Sequence, residues 1–399
     1  MDSNHRHIFF TLFFAIFSTV TGVGIVVPLL PVYARDMGAS GFLVGMIFGA
    51  FSLSRSLFLP FFGRLSDKKG RKPLIVPGML AYTLVSVAFV VFDNVTAVLV
   101  IRFIQGIASA MLLPVIQAYV GDITPQGREG TYMGLFNMSL FFGLSIGPVL
   151  GGLIHDWFNL QAAFLSMGSL SFVGFLLTHF LLPPRNQEKI IQHTRPPARW
   201  TQIVRDSEIT GLFFFRFAYT GCIGIIWGFL PVLADVELGL SSSAAGFLLM
   251  LGISVSGVIH LPMGYVADRM DRRLMVIAGG IIASGAVLSF FWADGFSSMI
   301  LASIFFGLGG GISMPALMAM AVLKGDRSAA MGSVMSVLTV AHSLGMLTGA
   351  MLAGLMMDLF QLRLAFPFGA ALMLAGVVTF YGSIKMKNFK MIAKQTGKG

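Results

Sequence analysis

Twelve long apolar runs, each closed by a short polar or charged segment, divide this chain. In the first half they lie near residues 8–34, 40–62, 74–92, 95–121, 130–153 and 161–182. In the second they lie near 209–234, 243–264, 275–292, 296–322, 330–357 and 363–384. Each holds the roughly 20 apolar residues that a bilayer core requires. Backbone in lipid must be satisfied internally, and runs this long and uniformly apolar predict helices rather than strands. The expected fold is therefore an all-α integral membrane protein of twelve transmembrane spans. The first run has no small-residue cleavage site after a short apolar core, which predicts a retained helix.

The polar segments repeat. Gly63-Arg-Leu-Ser-Asp67-Lys-Lys-Gly70-Arg71-Lys72 is echoed 201 positions later by Gly264-Tyr-Val-Ala-Asp268-Arg-Met-Asp-Arg272-Arg273. Gly24-Ile25 and Leu30-Pro31-Val32 match Gly224-Ile225 and Leu230-Pro231-Val232 at an offset of 200. Gly106 and Pro114 match Gly307 and Pro315, and Phe158–Phe164 matches Phe360–Phe366 at 202. Nearly constant offsets mean two same-direction copies, the arrangement of transporters whose halves are related by an axis along the membrane normal. The expected domains are six-helix bundles at 1–182 and 209–384, a linker at 183–208 and a basic tail at 385–399.

Composition agrees. With 56% hydrophobic residues, 11% charged and a mean hydropathy of +0.84, lipid must be the solvent. A net charge of +10 would suggest nucleic acid in a soluble protein, but here topology explains it. Of the 27 Lys and Arg, 22 fall in the N-terminus, the even-to-odd loops, the central loop and the tail. Only Arg35 and Arg363 fall on the opposite face. The asymmetry predicts both termini in the cytoplasm. Tail lysines Lys385, Lys387, Lys390, Lys394 and Lys398 are expected against anionic headgroups. Within the linker, Arg199–Arg205 reads either as a short interfacial amphipathic helix or as solvated chain. The single cysteine, Cys222, lies mid-span and excludes an intrachain disulfide.

These motifs resemble the major facilitator superfamily, and are most similar to its drug:proton antiporter branch of twelve-helix exporters. Gly63 to Lys72 matches the superfamily's loop motif at every defined position. Arg102-Phe-Ile-Gln105-Gly106 resembles the fourth-span motif. Gly143-Leu-Ser-Ile-Gly147-Pro148-Val-Leu-Gly151-Gly152 matches the fifth-span antiporter motif, and Pro28 and Pro31, ending span 1, fit the branch pattern. The resemblance covers residues 8 to 384.

Each motif carries a physical expectation. Gly63 and Gly264 would let the ends of spans 2 and 8 approach another backbone. Asp67 is then available as an anion for a helix N-terminus. The resemblance implies that this is the start of span 11 near Ala329-Ala330, and by the repeat Asp268 would face the start of span 5 near Gly130. Arg71 is expected to pair with Asp122, with Arg272 as its repeat counterpart. By the resemblance these contacts form a cytoplasmic gate. The alternative is pure topology, which has no use for Gly63 or Asp67. Gly143, Gly147 and Gly151 stack at i, i+4 and i+8, and Pro148 bends the helix. In the family this face, with Gly152, meets span 8 and seals the periplasmic side.

Ionisable groups inside the spans are Arg55, Arg102, Arg216, His260 and His342, whereas all 17 Asp and Glu lie in loops or at span ends. Many drug:proton antiporters carry an embedded carboxylate in an early span, so its absence here points from cationic toward anionic cargo. Arginine offers a planar bidentate fork to carboxylate or phosphate. Arg55 and Arg216 lie near the cytoplasmic ends, where snorkelling competes with function. Arg102 sits about two turns from the periplasmic end, and in this family the matching arginine takes part in coupling or in the cavity. His342 is a candidate proton carrier, against the plainer reading of a packing histidine. By family position, Thr21, Gln105, Gln117, Asn137, Tyr219, Trp227 and Thr339 are candidate cavity groups.

The sequence carries no nucleotide loop, metal-ligand cluster or nucleophilic triad, so no cofactor and no enzymatic activity are expected. The resemblance implies a monomeric secondary transporter of a bacterial-type inner membrane, with a small-molecule solute and protons as partners and no nucleic acid. Proton-coupled export of an amphipathic or anionic solute is the first reading. An organic-anion or sugar-like importer or facilitator, or a non-transporting sensor or lipid-handling protein, remain alternatives.

Overall fold

A computed structural model describes residues 3–124, 129–183, 206–267, 269–327 and 331–395. Among the described residues every regular element is helical. The order is α1 (Ser3–Val26), α2 (Leu29–Asp36), α3 (Gly41–Lys69), α4 (Lys72–Val91), α5 (Val95–Ile123), α6 (Glu129–Trp157) and α7 (Leu160–Leu181). After the linker come α8 (Ser207–Val236), α9 (Ser242–Ala267), α10 (Arg272–Ser289), α11 (Phe296–Arg327), α12 (Met331–Leu359) and α13 (Ala365–Gln395). Twelve membrane-length apolar stretches result among the described residues, because α1 and α2 share the first.

Prolines and caps explain the punctuation. Pro28 offers no N–H, so it splits the first span into α1 and α2 instead of ending it, and the helix resumes through Pro31 to Asp36. Ser40, Asn94 and Asn159 accept hydrogen bonds from Leu43, Ala97 and Ala162 and start α3, α5 and α7. The last helix runs on to Gln395, where the sequence predicts a tail from 385. The Arg199–Arg205 stretch and Lys398 lie outside the described residues.

The chain forms two compact units. The first comprises α1 to α7 with Trp227–Ile253; the second comprises the chain before Trp227 in α8 and everything from Ser254 onward. In the first, Leu12, Ile75, Met79, Ile116 and Phe136 build a fully enclosed core, and Phe89 stacks on Phe164 with centroids 5.0 Å apart. Outward positions are apolar too: Val258 is 75% and Val378 68% exposed, the surface expected of a protein solvated by lipid.

Candidate functional site

In the second unit, glycine packing draws α12 onto α8. A Cβ on Gly345 would fall on the Phe217 carbonyl and the Thr220 hydroxyl, and one on Gly349 on the Gly221 carbonyl. That approach brings His342 of α12 against Arg216 of α8, both half-buried. A terminal Arg216 nitrogen lies 3.3 Å from His342 Nδ1, and the other lies 2.7 Å from the Met314 sulfur. Its Nε is buried with no hydrogen-bond partner among the described residues. Guanidinium only donates, so His342 Nδ1 is the acceptor in this contact and carries no proton. The ion pairs among the described residues lie at span ends, and none includes Arg216.

Around this pair the other candidates fall into distinct environments. Tyr219 is buried, stacked on Phe306 at 5.4 Å, with its hydroxyl against Gly310 where any side chain would collide. His260 Nδ1 lies 2.6 Å from the Ser256 carbonyl, which can only accept, so there Nδ1 bears the proton. Thr339 is tied to the carbonyl of Met335 in its own helix, and Trp227 is half-buried in the first unit.

Arg102, in the first unit, is enclosed and satisfied. Its Nε donates to the Ile47 carbonyl at 3.2 Å and a terminal nitrogen to Gln105 Oε1 at 2.6 Å. The guanidinium also lies 4.6 Å from the Phe51 ring centroid and 5.4 Å from that of Phe48. Gly106 makes this possible, since a Cβ there would collide with the Phe51 carbonyl and the Ser54 hydroxyl. Arg102 thus ties α5 to α3, and Gln105, on the same helix, holds the guanidinium in place. Arg55 is half-buried, and its Nε has no partner among the described residues. Thr21 bonds to the Phe17 carbonyl in its own helix, Gln117 is half-buried and Asn137 is exposed on α6.

At the loop motif, Arg71 Nε donates to Asp122 Oδ2 at 3.0 Å and a terminal nitrogen to Ser66 Oγ at 2.5 Å. The expected close approach at the motif glycines is absent: a Cβ on Gly63 or Gly264 would meet no described atom within 4 Å. Asp268, the Asp67 side chain, Ala329-Ala330 and the surroundings of Gly130 lie outside the described residues.

The glycine stripe of α6 corrects another expectation. A Cβ on Gly147 would stand 2.6 Å from the Thr21 carbonyl and 2.7 Å from Gly24 Cα, and one on Gly151 would strike the Ile25 carbonyl. Gly143 faces Thr21 and Phe17. The stripe therefore packs on α1, not on span 8. Gly152, about 100° further round the helix, is the residue that abuts α9, at Ser242 and Ser243, while Gly246 of α9 abuts Pro148. Asp156, one turn beyond Gly152 on that same face, accepts from the Ser243 N–H at 3.0 Å. The sequence reading missed Asp156, although an acid four residues after a motif glycine was the available signal.

Family comparison decides the class. A Major Facilitator Superfamily profile matches residues 12–256 and 212–390. The chain belongs to the major facilitator superfamily. Among curated members of the superfamily it is 26% identical over 376 residues to an uncharacterized MFS-type transporter of Methanocaldococcus jannaschii, covering 93% of this chain and 97% of that one. It is 26% identical over 385 residues to the quinolone resistance protein NorA of Staphylococcus aureus, covering 92% and 94%. The human organic anion transporter MFSD10 (TETRAN) shares its fold with a TM-score of 0.68 at 18% identity, over 94% of this chain and 99% of that one. This major facilitator chain is a membrane transporter.

Proposed function

We propose that this transporter carries a small amphipathic organic anion out across a bacterial-type inner membrane in exchange for protons. Its two six-helix bundles, 1–182 and 209–384, would rock about the 183–208 linker by alternating access, with both termini cytoplasmic and the chain acting as a monomer. The observation that carries the anionic cargo is Arg216, a guanidinium inside a span whose described partners are a thioether and a neutral imidazole nitrogen, with Nε unfilled. A cation held inside a span without a described counter-charge is unfavourable, and a cargo carboxylate or phosphate would supply one in bidentate form. Export is supported by similarity to resistance proteins such as NorA.

The Arg216–His342 contact favours a second reading, uptake or facilitated movement of an organic anion. An anion that takes Arg216 displaces His342 Nδ1 and leaves that nitrogen open to a proton. Anion and proton would then bind cooperatively and reciprocally, as in cotransport.

Thermal-shift measurements with alkyl carboxylates and alkyl ammoniums of matched chain length test the cargo class, since a ligand of the folded state raises its stability. Stabilisation by the carboxylates that disappears in Arg216→Gln supports an organic-anion carrier; stabilisation by the ammoniums overturns it. In inverted vesicles, carboxylate accumulation driven by an acidic interior supports exchange, and expulsion under the same gradient supports cotransport.

A further inference from the structure

At the end of the second unit where α8 and α10 begin and α11 ends, a cavity of about 210 Å³ opens. Membrane-length stretches begin or end here at Ser207, Arg272 and Lys324, which places the cavity at the level where lipid headgroups meet the apolar core. Arg272, Arg273 and Lys324 bring three positive charges to its wall, and Glu208 and Asp271 bring two negative. Met320 and Leu323 supply an apolar flank.

The acids are committed locally. Lys324 Nζ is 2.5 Å from Asp206 and 3.5 Å from Glu208. Asp271 accepts from the backbone N–H of Arg273 at 2.9 Å and so caps α10. No side chain among the described residues pairs with the Arg273 guanidinium. In the first unit Arg71, at the start of α4, is neutralised by Asp122 near the end of α5. In the second unit the base near the end of α11, Lys324, pairs with the acids Asp206 and Glu208 at the start of α8 instead.

We propose that this cavity binds the phosphate of a membrane lipid headgroup. The Arg273 fork takes two phosphate oxygens, and Met320 and Leu323 lie against the glycerol end of the acyl chains. The cavity is smaller than the roughly 300 Å³ at which pockets for drug-sized ligands begin, which suits a phosphate with a small substituent rather than a nucleotide. Its place at the ends of three membrane-length stretches, with Met320 and Leu323 on one flank, favours a lipid over free phosphate as the source.

The test uses delipidated, full-length protein and follows unfolding temperature, so it succeeds or fails independently of the transported solute. Phosphatidylglycerol is expected to raise the midpoint by about 2 °C or more, and diacylglycerol of the same chains to leave it unchanged. Arg273→Gln should abolish the rise, and Arg273→Lys should keep part of it. An equal rise in wild type and Arg273→Gln, or an equal rise with diacylglycerol, overturns the proposal. Inorganic phosphate reproducing the whole effect would reassign the cavity to a soluble anion and overturn the lipid source. Should Arg273→Gln not fold, the two lipids compared on the wild-type protein decide.

Discussion

The carboxylate of Asp156, at the end of α6, lies 3.0 Å from the backbone N–H of Ser243, so one helix end caps the start of another, α9. Helix N-termini carry unpaired N–H groups and a positive dipole end, and an acid there satisfies both. Gly152, a turn earlier, removes the side chain that would hold these helices apart. Asp156→Ala should cost about 0.5–2 kcal/mol, the usual price of a lost cap. It should also speed alkylation of a cysteine placed at exposed Ser241, measured in a Cys222→Ser background because native Cys222 is buried. Unchanged alkylation would mean that the cap does not hold the two helix ends together.

Two motif glycines should behave oppositely. Gly147 faces the rigid Thr21 carbonyl and Gly24 backbone, so Gly147→Val forces α6 and α1 apart, an overpacking worth about 1–3 kcal/mol. No described atom lies within 4 Å of a Cβ on Gly63, and Gly63→Ala should stabilise α3 by about 0.5–1 kcal/mol through reduced backbone entropy. Denaturation midpoints of the two variants check both signs. Transport lost in a stabilised Gly63→Ala would show that another access state needs the glycine.

Arg216 and His342 should act as a coupled pair. Single changes to Gln at either position and the double change form a cycle, and contacting residues give interaction energies of about 0.5–3 kcal/mol. Additive effects on stability and on ligand affinity would dissolve the pair. If His342 carries the proton, His342→Gln should also flatten the dependence of flux on the pH gradient while leaving ligand binding at Arg216.

Acid should loosen the start of α8 through Asp206. Burial disfavours its carboxylate, but the Lys324 ammonium and the N–H groups of Ile209 and Glu208 outweigh burial and hold it below the usual carboxylate range. An unfolded aspartate titrates near 3.9, about the value at which the loss begins. The stabilisation is fully present above that pH and disappears as pH falls through the lower folded value. Unfolding temperatures between pH 3 and 6 should therefore drop more steeply at the acid end for wild type than for Asp206→Asn. Parallel curves would remove Asp206 from the acid response.

Twelve spans and their family were legible in the sequence because both depend on local quantities. Apolar length is set by bilayer thickness, and the loop and α6 motifs are contiguous strings. The Arg71–Asp122 contact could be anticipated because both residues sit at helix ends on the same side of the bilayer. Rotation of each helix about its axis could not. Lipid and protein interior are both apolar, so hydrophobic periodicity scarcely distinguishes the face that meets a neighbour from the face that meets acyl chains. Only tertiary packing turned the α6 glycines toward α1, enclosed Arg102 against Ile47 and Gln105, and left Arg216 beside a histidine instead of an acid. Those outcomes depend on several helices settling together, and no single stretch of sequence contains them.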